Sequence, residues 1–143
     1  MKVKCKKFLS PFGDGMELES SGFLTIGREY IVLAIDINKR NVCKVYIEDD
    51  SKELPGYFDI RQFDVVSNYI PSRWVIEYRE EFNSLAFYPK SWVEHEDFWD
   101  RFIDDHDPEM IALFEKERDL IYEEEPKKIY LRVDNSSDKK DSS

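Results

Sequence analysis

The chain has 143 residues, enough for one domain with a sizeable core: hydrophobic residues make up 41% and aromatic residues 15%, and each buried aromatic removes roughly 150–250 Å² from water. Against 21 Lys and Arg stand 31 Asp and Glu, a net charge of −10, whose field repels nucleic-acid phosphates and anionic lipid and argues against both as partners. The basic start, Met1 to Phe12, lacks the apolar run of a signal peptide, no stretch approaches the roughly 20 apolar residues of a membrane span, and Cys5 and Cys43 are the only cysteines, so a cytoplasmic protein with reduced thiols is expected.

Residues 1–90 read as β. Met1 to Phe8 alternates, with Val3 and Cys5 on one face and lysines on the other, before Pro11, Gly13, Asp14 and Gly15 punctuate a turn. Tyr30 to Ile37 is rich in β-branched residues and short, which predicts a strand, and Asn38 to Asn41 reads as the hairpin connection to a second strand over Val42 to Glu48. Leu54 to Ile60 is a third short strand, and Pro55 places it at an edge or a bulge. Phe63 to Val66 closes the series. Arg73 to Tyr78 then alternates with Trp74, Ile76 and Tyr78 on one face, and Leu85 to Tyr88 returns as the partner of a second hairpin.

Short strands at intervals of about ten residues suggest a small barrel or a strongly bent sheet. Residues 23–66 resemble the small SH3-like barrels of bacterial and phage proteins, on Leu24, Thr25, Gly27, Tyr30, Val32, Asp49, Asp50, Tyr57, Phe63 and Val66. The resemblance implies a barrel-like β part and says little about function, because small barrels host many unrelated ones. Tyr57, Phe58, Phe63, Trp74 and Tyr78 either line a peptide groove of such a barrel or belong to its core.

From Ser91 the period changes. Trp92, Val93, Phe98, Trp99, Phe102 and Ile103 predict a helix near 91–105, and Met110, Ile111, Leu113, Phe114, Arg118 and Ile121 predict another near 108–124. Asp107 suits the N-cap of the second and Pro108 its first position. Ile129 to Val133 reads as a last strand over 128–133, and Asp134 to Ser143 has no apolar residue and reads as a disordered tail. The expected fold is α+β and a single domain over 1–133: a bent antiparallel sheet or SH3-like small barrel in residues 1–90, then an acidic two-helix hairpin over 91–125.

The charge is uneven. Residues 1–90 hold 14 acids and 13 bases, whereas residues 91–125 hold 14 acids and 3 bases, a net of −11. Charge runs often only solvate a helix face. Here Glu94, Glu96, Asp97, Asp100, Asp104, Asp105 and Asp107 crowd one short stretch, and Asp104 and Asp105 stand where a helix C-terminus disfavours acids. Such a repulsive cluster suits docking to a basic protein. Glu94, Asp97, Asp100, Asp104 and Asp105 are the candidate partner-binding acids, with Trp99 as an aromatic anchor where exposed.

Motifs for chemistry are missing. His95 and His106 lack metal-ligand spacing, the glycines build no phosphate loop, and Asp104 to Asp107 lacks the glycine and glutamate of a calcium loop. The chain therefore reads as a non-enzyme with no catalytic residue, metal or cofactor. In being small, acidic, aromatic-rich and without catalytic motifs, it resembles the immunity proteins that neutralise bacterial toxins, often basic nucleases, by direct stoichiometric binding. That resemblance is one of type and implies a cognate basic toxin as partner. Two other readings stand beside it: an adaptor or regulatory module whose barrel binds a peptide or small ligand, and a phage-encoded inhibitor of a host defence protein. The oligomeric state is left open.

Overall fold

Alternation of apolar and polar residues builds the first sheet directly. In the computed structural model, which describes the backbone of residues 1–140 and the side chains of residues 1–125, β1 (Lys2–Cys5) buries Val3 and Cys5 and leaves Lys4 in solvent. It lies between β4 (Glu29–Ile31) and β8 (Phe63–Ser67), antiparallel to both, with Val3 opposite Tyr30 on one side and Val65 on the other. Between them in sequence, β2 (Phe8–Leu9) and β3 (Glu17–Leu18) form a separate two-stranded ribbon.

The run Tyr30 to Ile37 is not one strand. It leaves the first sheet at Ile31 and enters a five-stranded sheet at Ala34, the start of β5 (Ala34–Ile37). At the corner the Val32 amide donates to the Met1 carbonyl at 2.9 Å and the Leu33 amide to the Tyr46 carbonyl at 2.8 Å. Strands that switch sheets in this way make the corners of packed β layers. The larger sheet adds β6 (Cys43–Ile47), β7 (Gly56–Asp59), β9 (Trp74–Arg79) and β10 (Ser84–Pro89) in the order β7-β6-β5-β10-β9, every pairing antiparallel. The expected hairpin at Asn38 to Asn41 forms: the Asn38 side chain accepts from the Arg40 and Val42 amides, and Asn41 adopts a left-handed φ of 65°.

The strands do not close into a barrel. The five-stranded sheet has the three-stranded sheet on one face and the helices on the other, so the fold is α+β in layers. Val45 and Ile47 pack with Val3, Tyr30 and Phe63, while their neighbour Tyr46 points the opposite way, toward Trp92, Phe98 and Phe114. Side-chain alternation along β6 thus feeds two cores.

The expected helix over 91–105 is divided. α1 (Lys90–Val93) stops after one turn, residues 94–97 form turns, and a second short helical stretch ends as a π-helix over Asp100–Asp104. The reason lies in the rings. Trp92 and Phe98 stack at 5.2 Å with 10° between their planes, yet a straight helix would separate positions six apart by about 240°. Breaking the helix brings both rings into one core, where Phe102 and Phe114 continue the stack at 4.7 Å. His106, at φ 52°, ends the stretch, and Asp107 caps the next helix by accepting from the Glu109 amide at 2.9 Å.

That helix, α2 (Pro108–Lys140), is the one long helix, so the two-helix hairpin is not formed as expected. Residues 128–133 continue it in place of the expected strand, as does the start of the expected tail; residues 141–143 lie outside the described residues. The helix passes Pro126, which has no N–H to add a bond there, and Glu123 and Glu124 stand four positions before Lys127 and Lys128, the order that favours helix.

Candidate protein-binding face

Seven acids and one base, Arg101, occupy positions 94–107. Folding gathers some of the acids around that base. Arg101 ion-pairs with Asp107 at 2.8 Å, Glu109 at 3.2 Å and Asp97 at 3.8 Å. Its guanidinium holds the Asp107 carboxyl below the usual carboxylate range. Asp97, one of the candidate acids, is thus used within the chain. Glu94, Asp100, Asp104 and Asp105 are exposed and have no ion pair among the described residues.

The break in the helix spreads these carboxylates. Glu94 sits just after α1, and the π-helical turn, in which the Asp105 amide donates to the Asp100 carbonyl at 3.0 Å, carries Asp100 and Asp104. Trp99 is half-buried. Its indole meets Phe98 at 5.1 Å, Tyr46 at 5.4 Å and Trp92 at 5.6 Å, all edge to face. Most of that ring packs the helical segment onto the sheet and only its margin reaches the acidic stretch. The apolar side chain actually left in water among the acids is Ile103, 39% exposed. Helical spacing counts Ile103 with Phe102 on the inward face, and nothing local signals that the segment has lost that register.

Most residues that carry the SH3-like resemblance are structural. Asp50 accepts from the Thr25 hydroxyl at 2.6 Å, Arg28 at 2.8 Å and the Tyr30 hydroxyl at 2.9 Å, tying the first sheet to the turn after β6. Burial pushes the Tyr30 phenol up to about 12. Leu24, Val32 and Phe63 are core. Of the five aromatics weighed as groove or core, Phe63 is buried in a core against which Phe58 and Trp74 also pack, Trp74 donates its indole N–H to the Leu33 carbonyl at 2.9 Å, and Tyr78 is exposed on the edge strand β9.

Two buried carboxylates on α2 escaped the sequence reading. Met110, Phe114, Glu117, Ile121 and Glu125 are the buried stripe of α2, so two glutamates face the core. Glu117 accepts from Arg73 and from the Ser91 hydroxyl. Glu125 accepts from the Ser67 hydroxyl at 2.7 Å and from the Met1 amine. Their spacing from Met110 was the available signal, since acids at apolar helical positions are buried only when paired. Cys5 and Cys43 are free thiols in different sheets, and burial pushes both upward.

Tyr57 and Phe58 line a cavity of 570 Å³ between β7 and the β2–β3 ribbon. Among the described residues no three His, Cys, Asp or Glu side chains converge to hold a metal ion, and no helix is long and apolar enough to cross a membrane. No protein-family model, curated protein or solved structure matches the chain.

Proposed function

We propose that the chain is a non-catalytic binding protein whose acidic face at residues 94–105 docks on a basic protein, and that it acts as an immunity protein neutralising a basic bacterial toxin in the cytoplasm. One observation carries the reading: Glu94, Asp100, Asp104 and Asp105 are exposed and form no ion pair among the described residues. Unpaired like charges on one short segment repel one another, and a complementary surface relieves that repulsion on binding. Ile103 and the margin of Trp99 supply apolar contact within the charged rim.

Affinity capture from the source cells, followed by mass spectrometry, tests it with two baits: the natural chain and a chain carrying Glu94→Gln, Asp100→Asn, Asp104→Asn and Asp105→Asn. A basic protein held by the first bait, lost by the second and inhibited at one-to-one stoichiometry supports the reading. Capture unaffected by the substitutions, or a captured protein whose activity is unchanged, overturns it.

A further inference from the structure

We propose that the cleft beside β7 is a second binding site, which takes an extended segment of another protein, apolar with one basic residue, as an added β-strand. The cleft has 570 Å³ and is lined by every residue from Leu54 to Asp59. Successive side chains of a strand point to opposite faces of a sheet. A cavity that touches both sets therefore runs along the strand's edge. That edge is open: β7 pairs with β6 on one side, and no backbone hydrogen bond among the described residues joins Gly56–Asp59 to any other strand.

Proteins usually guard such an edge with lysines, prolines or a covering loop. β7 itself, Gly-Tyr-Phe-Asp, carries no lysine and no proline. Facing it across the cleft are Leu18, 43% exposed, and Phe23, 53% exposed, whose ring lies 6.4 Å from that of Phe58. Apolar walls held in water beside unpaired backbone groups are what strand addition uses: the backbone supplies affinity and alternate side chains fill the walls. Four residues of strand are about 13 Å long, which sets the occupant at four to six residues.

Charge fixes the occupant's chemistry. Asp49, 8% exposed, lines the cleft. Its Oδ1 accepts from the amide and hydroxyl of Ser51, while Oδ2 has no hydrogen bond among the described residues. Oδ2 lies 3.6 Å from where a Cβ on Gly56 would stand, at the start of β7. The other lining carboxylate, Asp59, is already held by Arg61 at 2.6 Å. A carboxylate oxygen with no hydrogen bond, on a residue otherwise mostly buried and open to the cleft, suits a charged donor, so a lysine or arginine of the occupant belongs at the Gly56 end. Lys44, opposite Asp59 in register, disfavours a second one at the far end.

The probe is a displayed library of random octapeptides panned on the intact chain, with the enriched sequences then synthesised and their affinities measured. Enriched peptides are expected to alternate apolar residues around one Lys or Arg and to shift the amide resonances of residues 54–59. Asp49→Asn, which keeps the Oδ1 acceptor for Ser51, is expected to weaken them about tenfold, as loss of a charged hydrogen bond does. Leu18→Glu, at an exposed position, and N-methylation of the peptide backbone are each expected to abolish binding, whereas Asp100→Asn leaves it unchanged. That last arm separates this site from the acidic face. Absence of any enriched sequence, peptides that bind equally well to the folded Leu18→Glu and Asp49→Asn chains, or self-association through β7 that Leu18→Glu removes would each overturn the proposal.

Discussion

Arg73 donates two hydrogen bonds to Glu117, Nε to Oε1 at 2.8 Å and Nη2 to Oε2 at 3.0 Å. Arg73 lies just before β9 and Glu117 is in the third turn of α2, so the pair fastens the long helix to an edge of the large sheet. The Ser91 hydroxyl, 2.7 Å from Oε2, brings α1 into the same clamp. A guanidinium fork matches both oxygens of a carboxylate, which an ammonium cannot do.

Removing one partner leaves the other buried and unmatched. Arg73→Leu is expected to lower unfolding free energy by about 2–3 kcal/mol, below the figure for a fully buried pair because the arginine side chain is 44% exposed. Arg73→Lys should recover only part of the loss. Adding Glu117→Leu to Arg73→Leu should restore stability toward the natural value. Urea denaturation of the four chains checks this, and equal loss in the double variant would exclude the clamp as the cause.

The same carboxylate gives a pH dependence. Burial pushes Glu117 up, but the hydrogen bonds from Arg73 and Ser91 and the charge of Arg73 outweigh it and hold the carboxyl below its ordinary 4.5. Asp50 is lowered against burial by Thr25, Tyr30 and Arg28, and Asp59 chiefly by its hydrogen bonds from Arg61. Folded values below unfolded ones contribute stability that is complete above the unfolded values and is lost as pH falls through the folded ones. Urea midpoints at about pH 7, 5, 4 and 3 are therefore expected to fall on acidification, and to fall less steeply in Glu117→Gln. Comparing the two chains cancels the relief of repulsion among exposed acids, which both share. Parallel curves would remove Glu117 from the account.

Phe98 is fully buried between Trp92 and Phe102, and its ring is the reason the first helix breaks. Phe98→Ala is expected to destabilise the fold by about 3–5 kcal/mol. Trp99→Ala should also destabilise it, since that indole packs against Tyr46, Trp92 and Phe98. Thermal denaturation decides. A Trp99→Ala chain of natural stability would return that ring to the role of a partner's anchor.

If the acidic face steers a basic partner, association must slow as salt rises, because ions screen the field within about 8–10 Å near physiological strength. Replacing Glu94, Asp100, Asp104 and Asp105 by their amides should slow association while folding stability stays level or rises slightly. Stopped-flow kinetics over a salt series with the captured partner provides the measurement. Association that ignores both salt and the substitutions would place the interface elsewhere.

The β part was largely legible because alternation and turn chemistry are local: Val3 and Cys5 point inward, Asn38 turns the chain, and Asp107 caps α2 where its neighbours imply. What sequence could not show depends on partners far along the chain. Val32 and Leu33 look like mid-strand residues, and only the positions of Met1 and Tyr46 reveal the corner between sheets. The break after Val93 follows from a ring stack with Phe98 that helical spacing alone would forbid. Of the acidic face, the exposure of Glu94, Asp100, Asp104 and Asp105 was readable from composition, but the sequestration of Asp97 by Arg101 and the outward turn of Ile103 were not.

The corner at Val32 and Leu33 has a mechanical consequence. Consecutive peptide units there belong to different cores, with Val32 packed among Val3 and Phe63 and Leu33 among Tyr46 and Trp92. Trp74 touches both cores and grips the corner through the Leu33 carbonyl. Neither layer can open without pulling on the other, so amide exchange in β1 and in β10 should report a single cooperative unit rather than two independent foldons. A fragment ending after β8 would hold the whole small sheet and still lack β10, the neighbour of the central strand β5, along with α1 and α2.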